Sequence, residues 1–139
     1  MPTILVTEDS MFLRIANQRI LTRAGYSVLA AADGEAALQL ARGNHPDLIL
    51  LDMMLPKISG PDVLHTLKSD PATADIPIVV LTSLSQMNAE KLRQEGAAAF
   101  LEKGQLVEKP QPLLETIKAV LERHNSAKAG STTRTTTQA

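Results

Sequence analysis

Five short apolar runs, separated by longer stretches of helical periodicity, leave this chain very few folds to choose from. The runs lie near residues 3–7, 27–31, 47–51, 77–82 and 98–101. Ile4-Leu5-Val6, Leu48-Ile49-Leu50-Leu51 and Ile78-Val79-Val80-Leu81 are apolar without alternation, which is the pattern of strands covered on both faces. Parallel strands need a crossover between them, and a helix of ten or more residues supplies one. The expected class is therefore α/β, built from βαβ units around a parallel sheet.

The intervening segments carry helix signals. Ser10 is an expected N-cap for a helix with Phe12, Ile15, Ala16 and Ile20 turned inward, ending at Ala24-Gly25. Asp33 caps an alanine-rich helix that closes near Gly43. A third helix runs from about Ser59 to Ser69 with Val63, Leu64 and Leu67 inward, and Asp70-Pro71 stops it. The segment 85–95 is mostly polar, with Met87 and Leu92 as its main apolar residues, so its helix is weakly anchored and a candidate moving part. Leu113, Leu114, Ile117, Val120 and Leu121 form a single stripe on the last helix, which is expected to end by His124. Residues 125–139 are rich in Ser, Thr and Ala without an apolar period. They are expected to be a disordered tail or the remnant of a linker, leaving one domain over residues 1–124.

Composition narrows the function. Among 139 residues, 44% are hydrophobic and the formal charge is −1, so no general field attracts nucleic acid or a membrane surface. With no cysteine, disulfides and thiolate metal sites are excluded. No basic leader precedes the first strand and no run approaches the roughly 18 apolar residues that span a bilayer. The expected location is the cytoplasm.

Chemistry concentrates at the ends of the strands. Asp52 ends the third apolar run, Glu8 and Asp9 follow the first, Thr82 ends the fourth, and Lys103 follows Phe100-Leu101-Glu102. In an open parallel sheet these ends form one rim where ligands collect. Three carboxylates there repel one another at low dielectric and need a cation. Hard oxygen ligands suit Mg²⁺, which completes its shell with water and phosphate oxygens. A carboxylate beside a metal and a lysine can act as a nucleophile toward phosphorus.

This set of residues resembles the receiver domain of two-component response regulators, over roughly residues 2–123. The resemblance rests on Glu8-Asp9, Asp52, Pro56, Gly60, Thr82, Phe100 and Lys103, and on the run from Asp70-Pro71 to Thr82. It implies a (βα)5 flavodoxin-like fold of strand order 2-1-3-4-5 and a phosphoryl transfer from a phosphohistidine to Asp52. Glu8, Asp9, Asp52 and the Met54 backbone carbonyl would hold Mg²⁺, and Thr82 and Lys103 would contact the phosphoryl group. Thr82 and Phe100 would serve as the switch, signalling through the face of the fourth helix, fifth strand and fifth helix. The implied partners are a sensor histidine kinase or histidine phosphotransfer protein and a downstream protein target. The protein would not be an enzyme beyond its own Mg²⁺-dependent phosphorylation and slow dephosphorylation.

Two departures stand out. The family's lysine is usually followed by proline, whereas Gly104 follows Lys103 and a Lys-Pro pair appears later at Lys109-Pro110. The spacing from Thr82 favours Lys103, and the Gly104–Pro112 loop then alters the kinase-docking surface. Met54 and Leu84 lie where the family tunes loss of its aspartyl phosphate, and apolar side chains there cannot orient a water. A long-lived phosphorylated state is the expectation. Met11 and Leu13 read as core or staple residues, and otherwise, with Gly104, as kinase contacts. His45, His65 and His124 show no ligand spacing and read as surface or loop residues. A haloacid-dehalogenase-type phosphatase needs a second aspartate where Met54 stands. An FMN carrier needs a phosphate cradle where Glu8-Asp9 stand. The remaining alternatives are a phosphorylation-independent interaction module or a receiver cut from a larger hybrid kinase or regulator.

Overall fold

Strands and helices alternate from end to end: β1 (Thr3–Thr7), α1 (Met11–Arg23), β2 (Ser27–Ala31), α2 (Gly34–Asn44), β3 (Leu48–Asp52), α3 (Gly60–Ser69), β4 (Ile78–Thr82), α4 (Ala89–Gln94), β5 (Ala99–Glu102) and α5 (Gln111–Gln138). The computed structural model describes residues 1–82, 89–103 and 108–138. The five strands are parallel in the order β2-β1-β3-β4-β5, as the resemblance implied. Ile4 pairs with both Val28 and Leu48, and Val80 with Phe100. The chain reverses its winding between β1 and β3, so their carboxyl ends flank the crevice where such sheets bind ligands.

The non-alternating strands are explained by two cores. Leu5, Ile49, Leu51, Ile78 and Val80 pack against α2 and α3 through Ala37, Leu38, Ala41, Val63, Leu64 and Leu67. Their neighbours Ile4, Val6, Leu48, Leu50, Val79 and Leu81 pack against Leu21 of α1 and Leu113, Ile117, Val120 and Leu121 of α5. The central strands β1, β3 and β4 thus bury both faces, every residue of β3 and β4 is buried, and the edge strands β2 and β5 are mostly half-buried.

Local chemistry starts the helices where the sequence placed them. Ser10 Oγ accepts from Leu13 N, Asp33 Oδ1 from Ala36 N and Ser59 Oγ from Asp62 N, each filling an orphan donor of a first turn. After α3, buried Thr73 donates its hydroxyl to Leu67 O at 2.7 Å. Lys68 Nζ donates to Ala74 O and Ile76 O, closing the loop into β4; burial holds that amine below its ordinary value.

Gly60 decides how β3 ends. A Cβ there would lie 2.4 Å from Met53 Cα and 2.6 Å from Asp52 O, so only glycine lets the start of α3 close back onto the strand. Its N–H bonds to Met53 O at 3.2 Å.

Three expectations are corrected. Phe12 and Ile15 do not face the sheet: Phe12 is 73% and Ile15 40% exposed, while Asn17 and Leu21 are buried. Met11, expected in the core, is 65% exposed, and Leu13 is half-buried. Residues 11–16 are apolar almost all round, so counting apolar positions could not set the phase of the helix; the cap at Ser10 and the sheet beneath set it. The last helix does not stop at His124 but continues to Gln138, because Ala127, Lys128 and Ala129 favour helix and no proline follows to end it. In the polar segment 85–95, helix α4 occupies Ala89–Gln94, whereas Leu84 and Met87 lie outside the described residues. Of the histidines, His45 ends α2 in the left-handed region at φ 45 and pairs with Asp75 at 3.0 Å.

Asp33 yields a pH prediction. The Ala36 N–H, helped by Lys57, holds its carboxyl below the ordinary 3.8. A carboxyl lowered by folding stabilises the protein above its unfolded pKa, and that contribution is lost as pH falls through the folded value. Asp33→Asn keeps a capping oxygen but not the charge. Its melting temperature should fall below wild type near neutral pH, and the gap should close below about pH 4; a gap of constant size across thermal melts would refute the assignment.

Candidate functional site

Four side chains meet beyond the carboxyl ends of β1, β3 and β5. Glu8 and Asp52 are buried, Asp9 is exposed, and one carboxylate oxygen from each lies within 4.8 Å of the others. Lys103 Nζ sits between the two buried acids, 2.5 Å from Asp52 Oδ2 and 2.9 Å from Glu8 Oε1. Thr82 is buried at the end of β4, where the register sets Asp52 beside Leu81 and Thr82 beside Glu102. Lys109 is exposed, so of the two competing lysines it is Lys103 whose amine reaches the acids.

The electrostatics follow from burial. Glu8 is raised to about 7, because burial disfavours its charge and Asp52 repels it, more than Lys103 and the Ser10 N–H can offset. Burial pulls the Lys103 ammonium down, but the Asp52 and Glu8 carboxylates outweigh it and hold its pKa up. One cation therefore serves two buried anions. Glu8 Oε1 is left without an aligned hydrogen-bond donor, its contact with Lys103 being electrostatic.

Three hard oxygen donors, two of them on buried carboxylates that share a single lysine, fit a small divalent cation such as Mg²⁺. The Met54 N–H donates to Asp52 Oδ1 at 3.0 Å, and Met54 itself is 61% exposed. Met11 and Leu13 lie on the first turn of α1 beside Asp9, whereas Gly104 lies outside the described residues.

Two contacts escaped the sequence reading. Arg14 Nη1 donates to the carbonyls of Glu8 and Asp9 at 3.0 and 3.4 Å, tying the acid loop to α1. A cation near a helix N-terminus opposes the helix dipole, which is the signal that could have marked it. The Arg93 guanidinium stands 5.6 Å from the centroid of the Phe100 ring; only the tertiary structure brings these two together.

The sequence pattern of the response regulator receiver domain matches residues 4–118. The chain belongs to this family. The polar-differentiation response regulator DivK of Brucella ovis is 33% identical to this receiver over 120 residues, spanning 86% of this chain and 95% of DivK. A receiver domain protein from Clostridium thermocellum superposes with a TM-score of 0.82 at 27% identity, covering 91% of this chain and 99% of the other. The Vibrio cholerae chemotaxis protein CheY4 gives 0.77 at 30% identity, covering 86% and 98%. The receiver is thus a signalling module of two-component systems rather than a conventional enzyme. Among the described residues no helix is long and apolar enough to cross a membrane.

Lys103 generates a prediction. Removing one partner of a buried ion pair leaves uncompensated charge. Lys103→Met should therefore cost about 3 kcal/mol in urea unfolding with chelator present, and added Mg²⁺ should restore part of it. A variant as stable as wild type in chelator would show that the amine does not neutralise the acids.

Proposed function

We propose that this receiver accepts a phosphoryl group on Asp52 from a histidine-containing donor and signals by protein contact. The observation that carries the reading is the buried carboxylate of Asp52 with an acid cluster on one side and the Lys103 amine at 2.5 Å on the other. In the transfer an Asp52 oxygen forms a bond to phosphorus, the phosphorus–nitrogen bond of the donor imidazole breaks, and that nitrogen keeps the electron pair. Lys103, held protonated, swings its charge to the transferred oxygens, and Thr82 offers its hydroxyl to them.

Glu8, Asp9 and Asp52, with the Met54 carbonyl, would hold Mg²⁺. When bound it supplies charge neutralisation for the acids and for the phosphoryl oxygens.

The surface around the pocket supports a protein donor. Met11 and Phe12, at the start of α1 just after Asp9, and Met54, two residues beyond Asp52, are exposed apolar side chains close in the chain to the carboxylates, and exposed apolar surface of this kind suits a protein contact. The donor class is a sensor histidine kinase or a histidine phosphotransfer protein in the cytoplasm. The output is a protein target met through α4, β5 and α5, with Thr82 and Phe100 as the switch. We assign residues 1–124 to the receiver; residues 125–138 prolong α5.

Incubation with Mg²⁺ and acetyl phosphate or a phosphorylated histidine donor should label wild type and leave Asp52→Asn unlabelled, read by intact mass. Equal labelling of both, or none from either class of donor, would overturn the assignment. The apolar pair Met54 and Leu84 further predicts a slowly decaying phosphorylated form. Met54→Asn with Leu84→Glu should shorten its lifetime about tenfold or more, since positioned acid–base help contributes on the order of a hundredfold. Unchanged or slower decay would count against the water-exclusion argument.

A further inference from the structure

The α4–β5 corner holds a contact that neither core nor pocket requires. Arg93 lies in the last turn of α4, and its carbonyl accepts from Gly96 N at 3.0 Å. Gly96 adopts φ 103 and has no room for a Cβ, which would meet Lys68 Cγ at 2.9 Å. The backbone of Arg93 is therefore fixed where the chain turns into β5. From that anchor its exposed side chain reaches the Phe100 ring, 5.6 Å from guanidinium to centroid. Among the described residues this guanidinium has no carboxylate partner, so the ring is its specific contact.

Phe100 is partly buried and packs on the core shared by α2 and α3. It pairs with Val80 in β4, and Glu102, two residues on, pairs with Thr82. A change at the Thr82 end of the sheet that turns the ring away from Arg93 breaks this contact. The ring face attracts a guanidinium within about 6 Å, so the contact favours the present orientation over any that breaks it.

We propose that Arg93 is a positioning residue that sets the resting orientation of Phe100 and thereby opposes the phosphorylated state. This rests on reading Phe100 as the switch aromatic. A ligand shifts a two-state equilibrium only by its differential affinity. The site must therefore overcome the Arg93 contact, and its apparent affinity for a phosphoryl mimic is lowered by the same factor. For an exposed cation–ring pair the factor is about two- to fivefold.

The chain offers a clean probe, because Phe12 and Phe100 are its two phenylalanines. The full chain is labelled with 4-fluorophenylalanine and followed by fluorine NMR, with Phe12→Leu assigning the signals. In Arg93→Gln the Phe100 resonance should move, without ligand, toward the position it takes in wild type with Mg²⁺ and beryllofluoride. Arg93→Lys should fall between, and an unchanged far-UV circular dichroism spectrum should show the fold intact. Half-saturation by beryllofluoride should need about two- to fivefold less in Arg93→Gln. An unmoved Phe100 resonance overturns the proposal, and so does a moved one with unchanged half-saturation. If Asp52 is labelled by a phosphodonor but wild-type Phe100 ignores Mg²⁺ and beryllofluoride, the reading of Phe100 as the switch fails and the proposal with it; if Asp52 is not labelled at all, it is the phosphoryl reading that fails.

Discussion

Everything at the working end of this protein depends on two buried carboxylates sharing one lysine. Taking Glu8 and Asp52 out of water costs several kcal/mol per charge, and the Lys103 amine between them offsets part of that cost. The compensation is incomplete by design of the geometry. Glu8 is pushed up to about 7 and its Oε1 lacks an aligned donor, so the pocket retains a demand for positive charge. That demand fits the acid cluster to a small divalent cation such as Mg²⁺, and the proposed phosphoryl transfer builds on it.

The sheet exists to hold that cluster still. Both faces of β1, β3 and β4 are covered, so the strands cannot slide without exposing a core, and their ends stay in register beside one another. Gly60 lets the chain leave β3 within one residue of Asp52 and still turn back against it. Arg14 ties the Glu8-Asp9 carbonyls to α1. Rigid elements thus carry the reacting groups, while the helix with the fewest apolar residues, α4, borders the aromatic that would report their state.

Much of this was legible in the residues. Unalternating apolar runs announced strands covered on both faces, and acids closing two of those runs announced a charged rim, since buried strands tolerate no carboxylate along their length. The three capped helices also began where Ser10, Asp33 and Ser59 placed them, because a cap is a local hydrogen bond that needs no distant partner. The choice of Lys103 over Lys109 followed from strand spacing, and the observed contact with Asp52 agrees with it. What was misread lay where local pattern is degenerate. The first turns of α1 are apolar on every side but that of Arg14, so Phe12, Ile15 and Met11 were placed inward when they are exposed.

By itself, then, the sequence determined the alternation of elements, the covered strands, the helix starts and the chemical identity of the rim, all of which arise from neighbours in the chain or from the two-fold and 3.6-fold periods of its elements. Tertiary structure alone decided which face of α1 meets the sheet, the place of Arg14 over the acid loop, and the meeting of Arg93 with Phe100. Those depend on how helices are rotated and seated against a twisted sheet, a property of packed volumes that no local period encodes.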